Sequence, residues 1–324
     1  MEFLQIIIDN IFPLLTFMLI GYILDVKYRV NVAALSKLTV FVVLPCFIFY
    51  SIYVAELDMD MFFVFLLSCM QMALIGVVAW AVGKARGFSP EKIEAFKNGT
   101  MFSNNGNIGI ALIALVFTHA PYIVDGKAPY LAEAGAAAAM TLVQMNMTLH
   151  TVGLYQAGKG VLKPREALAA VFRLPIPYML CAVFLVKWSG FNMTSTFLWP
   201  VMQNSSGALA AIVMTTLGMQ IHKSRISFGD IDGWLGCFIR LIGGPAAAYG
   251  LILFLRLLGV DFDPVICQTI MIMGSVPSAA NSVLYAVEFH NMEDFATELV
   301  MMSTVLSCMT MPGVIYISRI LFPV

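Results

Sequence analysis

The chain reads as long apolar runs separated by short polar breaks. Ten runs stand out, at 4–24, 32–54, 61–83, 98–118, 134–157, 175–190, 199–221, 234–258, 264–287 and 295–321. A helix needs about 20 apolar residues to cross a hydrocarbon layer of ~30 Å, and most runs supply them. None carries the polar stripe at helical period expected of a helix on a soluble surface. The sixth run is the shortest, and Lys187 and Trp188 near its end can snorkel to the interface. The pattern predicts an all-α polytopic membrane protein of ten transmembrane helices.

Two runs are interrupted in the middle. The fourth reads Met101-Phe-Ser-Asn-Asn-Gly-Asn-Ile-Gly109, and the ninth, five later, reads Gly274-Ser-Val-Pro-Ser-Ala-Ala-Asn-Ser282. Ten spans split into five plus five, and an odd number per half gives halves of opposite topology, an inverted repeat. The expected units are a first five-helix repeat at 1–157, a cytoplasmic linker at 158–174 and a second repeat at 175–324. Within the linker, Glu166–Phe172 is a candidate interfacial helix.

Charge fixes the orientation. One set of loops holds Lys27, Arg29, Lys37, Lys84, Arg86, Lys92, Lys97, Lys159, Lys163, Arg165, Arg173, Lys223 and Arg225; the opposite set holds Lys127, Lys187, Arg256 and Arg319, which is 13 against 4. The excess belongs on the cytoplasmic side. Both termini are therefore expected outside, in a multi-pass protein of the cell inner (cytoplasmic) membrane. Glu2 and Asp9 replace the basic start of a signal peptide, so the first run is expected to be retained as a span.

Composition agrees. Only 11% of residues are charged, against about 25% in soluble domains, so most of the surface is expected to face lipid. The net charge of −1 excludes the basic footprint of a nucleic-acid binder. All six cysteines lie in apolar runs and read as small buried hydrophobes. Motifs of metalloproteases, serine hydrolases and phosphate-binding loops are absent from the sequence.

The candidate chemistry sits at the two interruptions. Asn104, Asn105 and Asn107, with Gly106 and Gly109, make a poor helix, and buried amides need partners. They serve either as glue between helices or as a functional break lining a wet cavity. Pro277 removes a backbone donor, and Ser278, Asn281 and Ser282 can cap a restarted helix. Two restarted helices would present free N–H groups and positive dipole ends, which hold carboxylates or phosphates without a buried lysine. Gln144 and Asn146 on the fifth run are further substrate-binding candidates. His150 shares a face with Asn146 and, with Glu298, is a candidate for ion coupling. His150 reads equally as a structural donor, and Glu298 as an interfacial residue. Arg240 is expected to snorkel or pair near the cytoplasmic end of the eighth run. Pro45, Pro245 and Pro312 are expected to be simple kinks.

At these residues the chain resembles the auxin efflux carrier family in its short bacterial form, of the malonate or malate permease kind. The resemblance covers nearly the whole length. It rests on Asn104-Asn-Gly-Asn-Ile-Gly109, Gly274-Ser-Val-Pro-Ser-Ala-Ala-Asn281, the 209–220 stretch ending Leu-Gly-Met-Gln, Arg240-Leu-Ile-Gly-Gly-Pro245 and Ser303-Thr-Val-Leu-Ser307. It implies a five-plus-five inverted repeat whose broken fourth and ninth helices cross, and an elevator motion. A transport domain from about 61–157 and 234–321 would move against a scaffold from about 1–54 and 175–221 that also forms a homodimer. The implied substrates are small mono- or dicarboxylates such as malonate or malate. No cofactor is implied, and coupling to H+ or Na+ stays open. Two departures are visible: Ile110-Ala-Leu follows the asparagines where the family often has a proline, and the third run has Gln71 but no carboxylate.

Two other functions compete with a carrier. A membrane sensor on a transporter fold would look the same in sequence. An intramembrane enzyme would need a nucleophile and base, for which Ser103 and His150 are the candidates.

Overall fold

The computed structural model describes residues 12–54, 59–223 and 230–324; residues 4–11 of the first run lie outside them. Among the described residues all regular structure is helical, apart from two isolated β-bridges. We number the helices α1 Phe12–Tyr28, α2 Val32–Val54, α3 Met59–Ala85, α4 Pro90–Met101, α5 Ile110–Phe117, α6 Leu131–Thr148, α7 Leu154–Lys159, α8 Pro164–Arg173, α9 Ile176–Ser189, α10 Trp199–Lys223, α11 Ile231–Leu257, α12 Pro264–Gly274, α13 Asn281–Phe289 and α14 Glu293–Leu321. By length and apolarity, α2, Met61–Ala85 of α3, α11 and α14 can each cross a bilayer.

Local sequence explains the helix ends. Asn31 caps α2 by accepting from the Ala34 N–H at 3.1 Å, and Ser89 caps α4 by accepting from that of Lys92 at 3.3 Å, with Pro90 in the first turn. Wide π turns at Thr39–Val43 and Ile239–Gly243 precede Pro45 and Pro245. A wider turn relieves the clash between a proline ring and the carbonyl four residues back. These two prolines thus sit beside bulges rather than simple kinks. Pro312 lies inside α14 with no interruption.

The helices pack in two groups. In one, α1 and α2 lie against α10, and α9 lies against α2. Gly21 and Gly218 make the α1–α10 contact: a Cβ at Gly21 would overlap the Thr215 carbonyl, and one at Gly218 the Met18 carbonyl. In the other group α3 packs on α4, α6 and α11, α6 on α5 and α12, and α14 on α11, α12 and α13. The groups meet where α2 touches α6 and α13 and where α10 touches α13 and α14. Large apolar side chains cover the outside, with Trp188, Phe197 and Leu257 more than four-fifths exposed. Water would penalise that surface by about 25 cal/mol per Å², and lipid does not. The chain is an all-α membrane protein.

Candidate functional site

Both interrupted runs leave the helix within the protein interior, and there they meet. After α4 the backbone is extended at Phe102, and helix resumes through a π turn at Asn105–Gly109. After α12 the chain turns at Ser275 and restarts at Asn281. Ser103 and Ser278 pair as an antiparallel bridge. The Asn104 N–H donates to the Pro277 carbonyl at 2.8 Å, and the Ala279 N–H donates to the Phe102 carbonyl at 2.9 Å. Ser278 adds two bonds: its hydroxyl donates to the Gly99 carbonyl at 2.5 Å, and its N–H donates to the Ser303 hydroxyl at 3.2 Å. Backbone that cannot bond within a helix is thereby satisfied across the crossing, as burial away from water requires.

Arg240 completes the crossing. Its Nη1 donates to the carbonyls of Thr100 at 3.1 Å and Met101 at 3.3 Å, and its Nη2 to that of Gly274 at 2.5 Å. These are the last carbonyls of α4 and α12, which a helix end leaves unpaired. The side chain is 3% exposed, so the expected snorkelling to the interface is corrected: Arg240 points inward. It sits in the π turn of α11, and Gly244 one turn on lets α11 approach the Gly274 carbonyl, where a Cβ would collide. Gln71 holds the Gly244 carbonyl at 2.8 Å.

Each helix C-terminus carries about half a negative charge, and each N-terminus about half a positive one. One guanidinium therefore offsets the two negative ends at the crossing.

A cavity of about 350 Å³ of atom-free space, its open mouth included, adjoins the crossing. Its polar lining comes from Ser68 and Gln71 of α3, Ser103 and Asn105 of the break, Thr141 and Gln144 of α6 and Arg240. Asn105 donates through Nδ2 to the Thr141 carbonyl at 3.3 Å, while its Oδ1 has no partner. Gln144 donates to the Thr148 hydroxyl at 2.9 Å. The Arg240 Nε also lacks a partner. Polar side chains converging on an open space are what a small polar ligand needs.

The other sequence candidates are spread over the crossing, a second cavity and the packed interior. Asn104, Pro277 and Ser278 form the crossing itself, and the Asn104 Nδ2 has no partner. Gly106 faces Phe47 and Leu142, and Gly109 faces Met273, where a Cβ would lie 2.8 Å from the side chain. Asn107 lies in the π turn, and its side chain is outside the described ones. Asn281 and Ser282 start α13, and Ser282 lines a second cavity rather than the first. Asn105 of the first restart thus lines one cavity and Ser282 of the second lines the other.

Asn146 and His150 are fully buried but line neither cavity. The His150 Nδ1 bonds the Tyr285 hydroxyl, and its Nε2 has no partner. The Ser103–His150 dyad an intramembrane hydrolase would use is therefore not formed. Glu298 is 5% exposed and packs against Gly233 of α11, so it is not an interfacial side chain. Arg240, Gln71, Ser68 and Thr141 are polar cavity residues that the sequence did not assign to a substrate site. A cation inside an apolar run was the one available signal.

No family model matches the chain. A curated protein named "Uncharacterized transporter" from Methanothermobacter thermautotrophicus (strain Delta H) is 23% identical over 309 residues, spanning 94% of this chain and 96% of the relative. This weak, nearly full-length likeness supports a transport function. The resemblance to auxin efflux carriers rests on the motifs given above.

Proposed function

We propose that this protein is a secondary transporter of a small organic anion, a mono- or dicarboxylate of the malonate or malate class, working by elevator-type alternating access. The observation that carries the proposal is the charge balance at the crossing. Arg240 offsets both negative helix ends, so the positive start of the helix that resumes after Asn105, which lines the cavity, would attract an anion. Asn105, Gln144 and Arg240 would hold the carboxylate in the cavity. Asn104, Gly106, Asn107, Gly109, Pro277, Ser278, Asn281 and Ser282 would shape the break, with Asn146 behind it.

The wider arrangement proposed is ten spans in a five-plus-five inverted repeat. Both termini would lie outside the inner membrane, and two copies would associate through the scaffold. The separation of the helices into two packed groups supports a moving domain of α3–α7 and α11–α14 against α1, α2, α9 and α10. His150 and Glu298 stay as candidates for ion coupling.

Thermal-shift titration of purified protein tests the ligand class. Malonate or malate should raise the unfolding midpoint, and the neutral dimethyl ester should not. Asn105→Leu should weaken carboxylate affinity about tenfold, a change of ~1.4 kcal/mol. An equal response to the neutral ester, or none to any carboxylate, would contradict the proposal.

A further inference from the structure

Among the described residues, three polar atoms of the cavity lining are neither bonded within the protein nor sealed from open space: the Ser103 hydroxyl and the Oε1 atoms of Gln71 and Gln144. Ser103 and Gln144 are both more than nine-tenths buried. Neighbouring bonds fix which way the two amides point. Gln71 donates through Nε2 to the Gly244 carbonyl at 2.8 Å. Gln144 donates through Nε2 to the Thr148 hydroxyl at 2.9 Å, and that hydroxyl must accept, because its own hydrogen goes to the Gln144 carbonyl at 2.8 Å. Both amides therefore leave an oxygen for a ligand. Ser103, on the same lining, can give a hydrogen.

Charge around this space is scarce. Among the described residues, Arg240 is the one charged side chain in the lining. Lys84 of α3, Glu94 and Lys97 of α4, Glu133 of α6 and Asp232 of α11 belong to helices that wall the cavity but stay outside its lining, and α12 has no charged residue. Arg240 is spent on two helix C-termini of about half a negative charge each. The helix that resumes after Asn105 adds about half a positive charge. This balance suits one negative charge on the ligand. A second would be buried with no counter-charge, at a steep desolvation cost. An ionised second carboxylate would also bring only acceptors to the oxygens of Gln71 and Gln144.

We propose that the cavity takes an acid in its singly charged form, with one carboxylate and one O–H or N–H donor. This rests on the organic-anion reading above and narrows it. A dicarboxylate would enter as the hydrogen dicarboxylate. Its carboxylate would accept from Ser103 and Asn105 beside Arg240, and its protonated carboxyl would donate to Gln71 or Gln144. A 2-hydroxy monocarboxylate meets the same demand through its hydroxyl. The proton of a dicarboxylate would then cross on the substrate, and no lining residue would have to take it up. Gln71, on a run that has no carboxylate, would serve as the acceptor for that proton's hydroxyl rather than as a proton site.

The test is calorimetric titration of purified full-length protein with malonate, malonamate (an amide replacing one carboxyl), glycolate and propionate, from about pH 5 to about pH 8. Above malonate's second dissociation the hydrogen form grows scarcer with pH, so its apparent Kd should rise about tenfold per pH unit. The malonamate Kd should stay level, since that anion keeps one charge and its donor throughout and Arg240 stays charged. Glycolate should bind about tenfold tighter than propionate, which has a methyl in place of the hydroxyl. In Gln71→Met and Gln144→Met that gap should narrow severalfold. Malonate affinity that holds or strengthens toward alkaline pH, with malonamate bound about tenfold more weakly, would overturn this inference and leave the carboxylate reading standing. Failure of all four anions to bind at any pH would contradict the carboxylate reading and this inference with it. A glycolate–propionate gap undiminished in both variants would overturn the role given to the two amides.

Discussion

One side chain decides most of the electrostatics at the crossing. Arg240 was legible in the sequence as a cation within an apolar run, but its role was not. Its partners are 140, 139 and 34 positions away, and only the folded crossing brings them to it. Glutamine can supply at most two N–H donors and no charge. Arg240→Gln should therefore leave a carbonyl unpaired and both negative helix ends exposed, costing about 3 kcal/mol of stability. Its carboxylate affinity should fall further than in Arg240→Lys, which keeps the charge. Thermal midpoints and ligand titrations on both variants check this, and equal affinities would remove charge from the explanation. The asparagines show the same limit from the other direction. Their composition marked a break, yet Asn105 faces the cavity while Asn104 sits in the crossing. Side-chain direction within a π turn does not follow from a 3.6-residue period.

Among the elements, the interruptions were the most readable feature. Glycine, asparagine and proline in mid-run prevent a continuous helix for reasons intrinsic to each residue. The register of the crossing, Ser103 opposite Ser278, was not readable, because it depends on how two distant segments meet. The π turns were also invisible beforehand, although those at Thr39–Val43 and Ile239–Gly243 each stand just before a proline. Proline position alone is thus a weak guide to consequence. Pro277→Ala should reduce substrate affinity more than Pro312→Ala, since Pro312 lies in an unbroken helix; matched losses in a binding titration would make Pro277 an ordinary kink. The glycine contact between α1 and α10 gives a prediction independent of the site. Gly218→Val drives a side chain into the Met18 backbone and should destabilise the protein by about 3 kcal/mol, seen as a lowered unfolding midpoint with substrate affinity retained in the folded fraction.

At the scale of the whole molecule, apolar run length and the scarcity of charge carried the membrane assignment, because both follow from the solvent rather than from any one contact. The division into two packed groups could not be read from the runs themselves. It emerges from which helices touch, and it is the feature that an elevator would require. Alternating access demands that the cavity beside Arg240 face each side of the membrane in turn, carrying its anion with it.

The most direct test is counterflow in proteoliposomes, loading purified protein with unlabelled malonate or malate and following entry of the labelled compound. The account predicts saturable accumulation that neutral esters neither drive nor inhibit and that Arg240→Gln abolishes. Labelled carboxylate entering no faster than into protein-free vesicles, across the malonate and malate class, would contradict it.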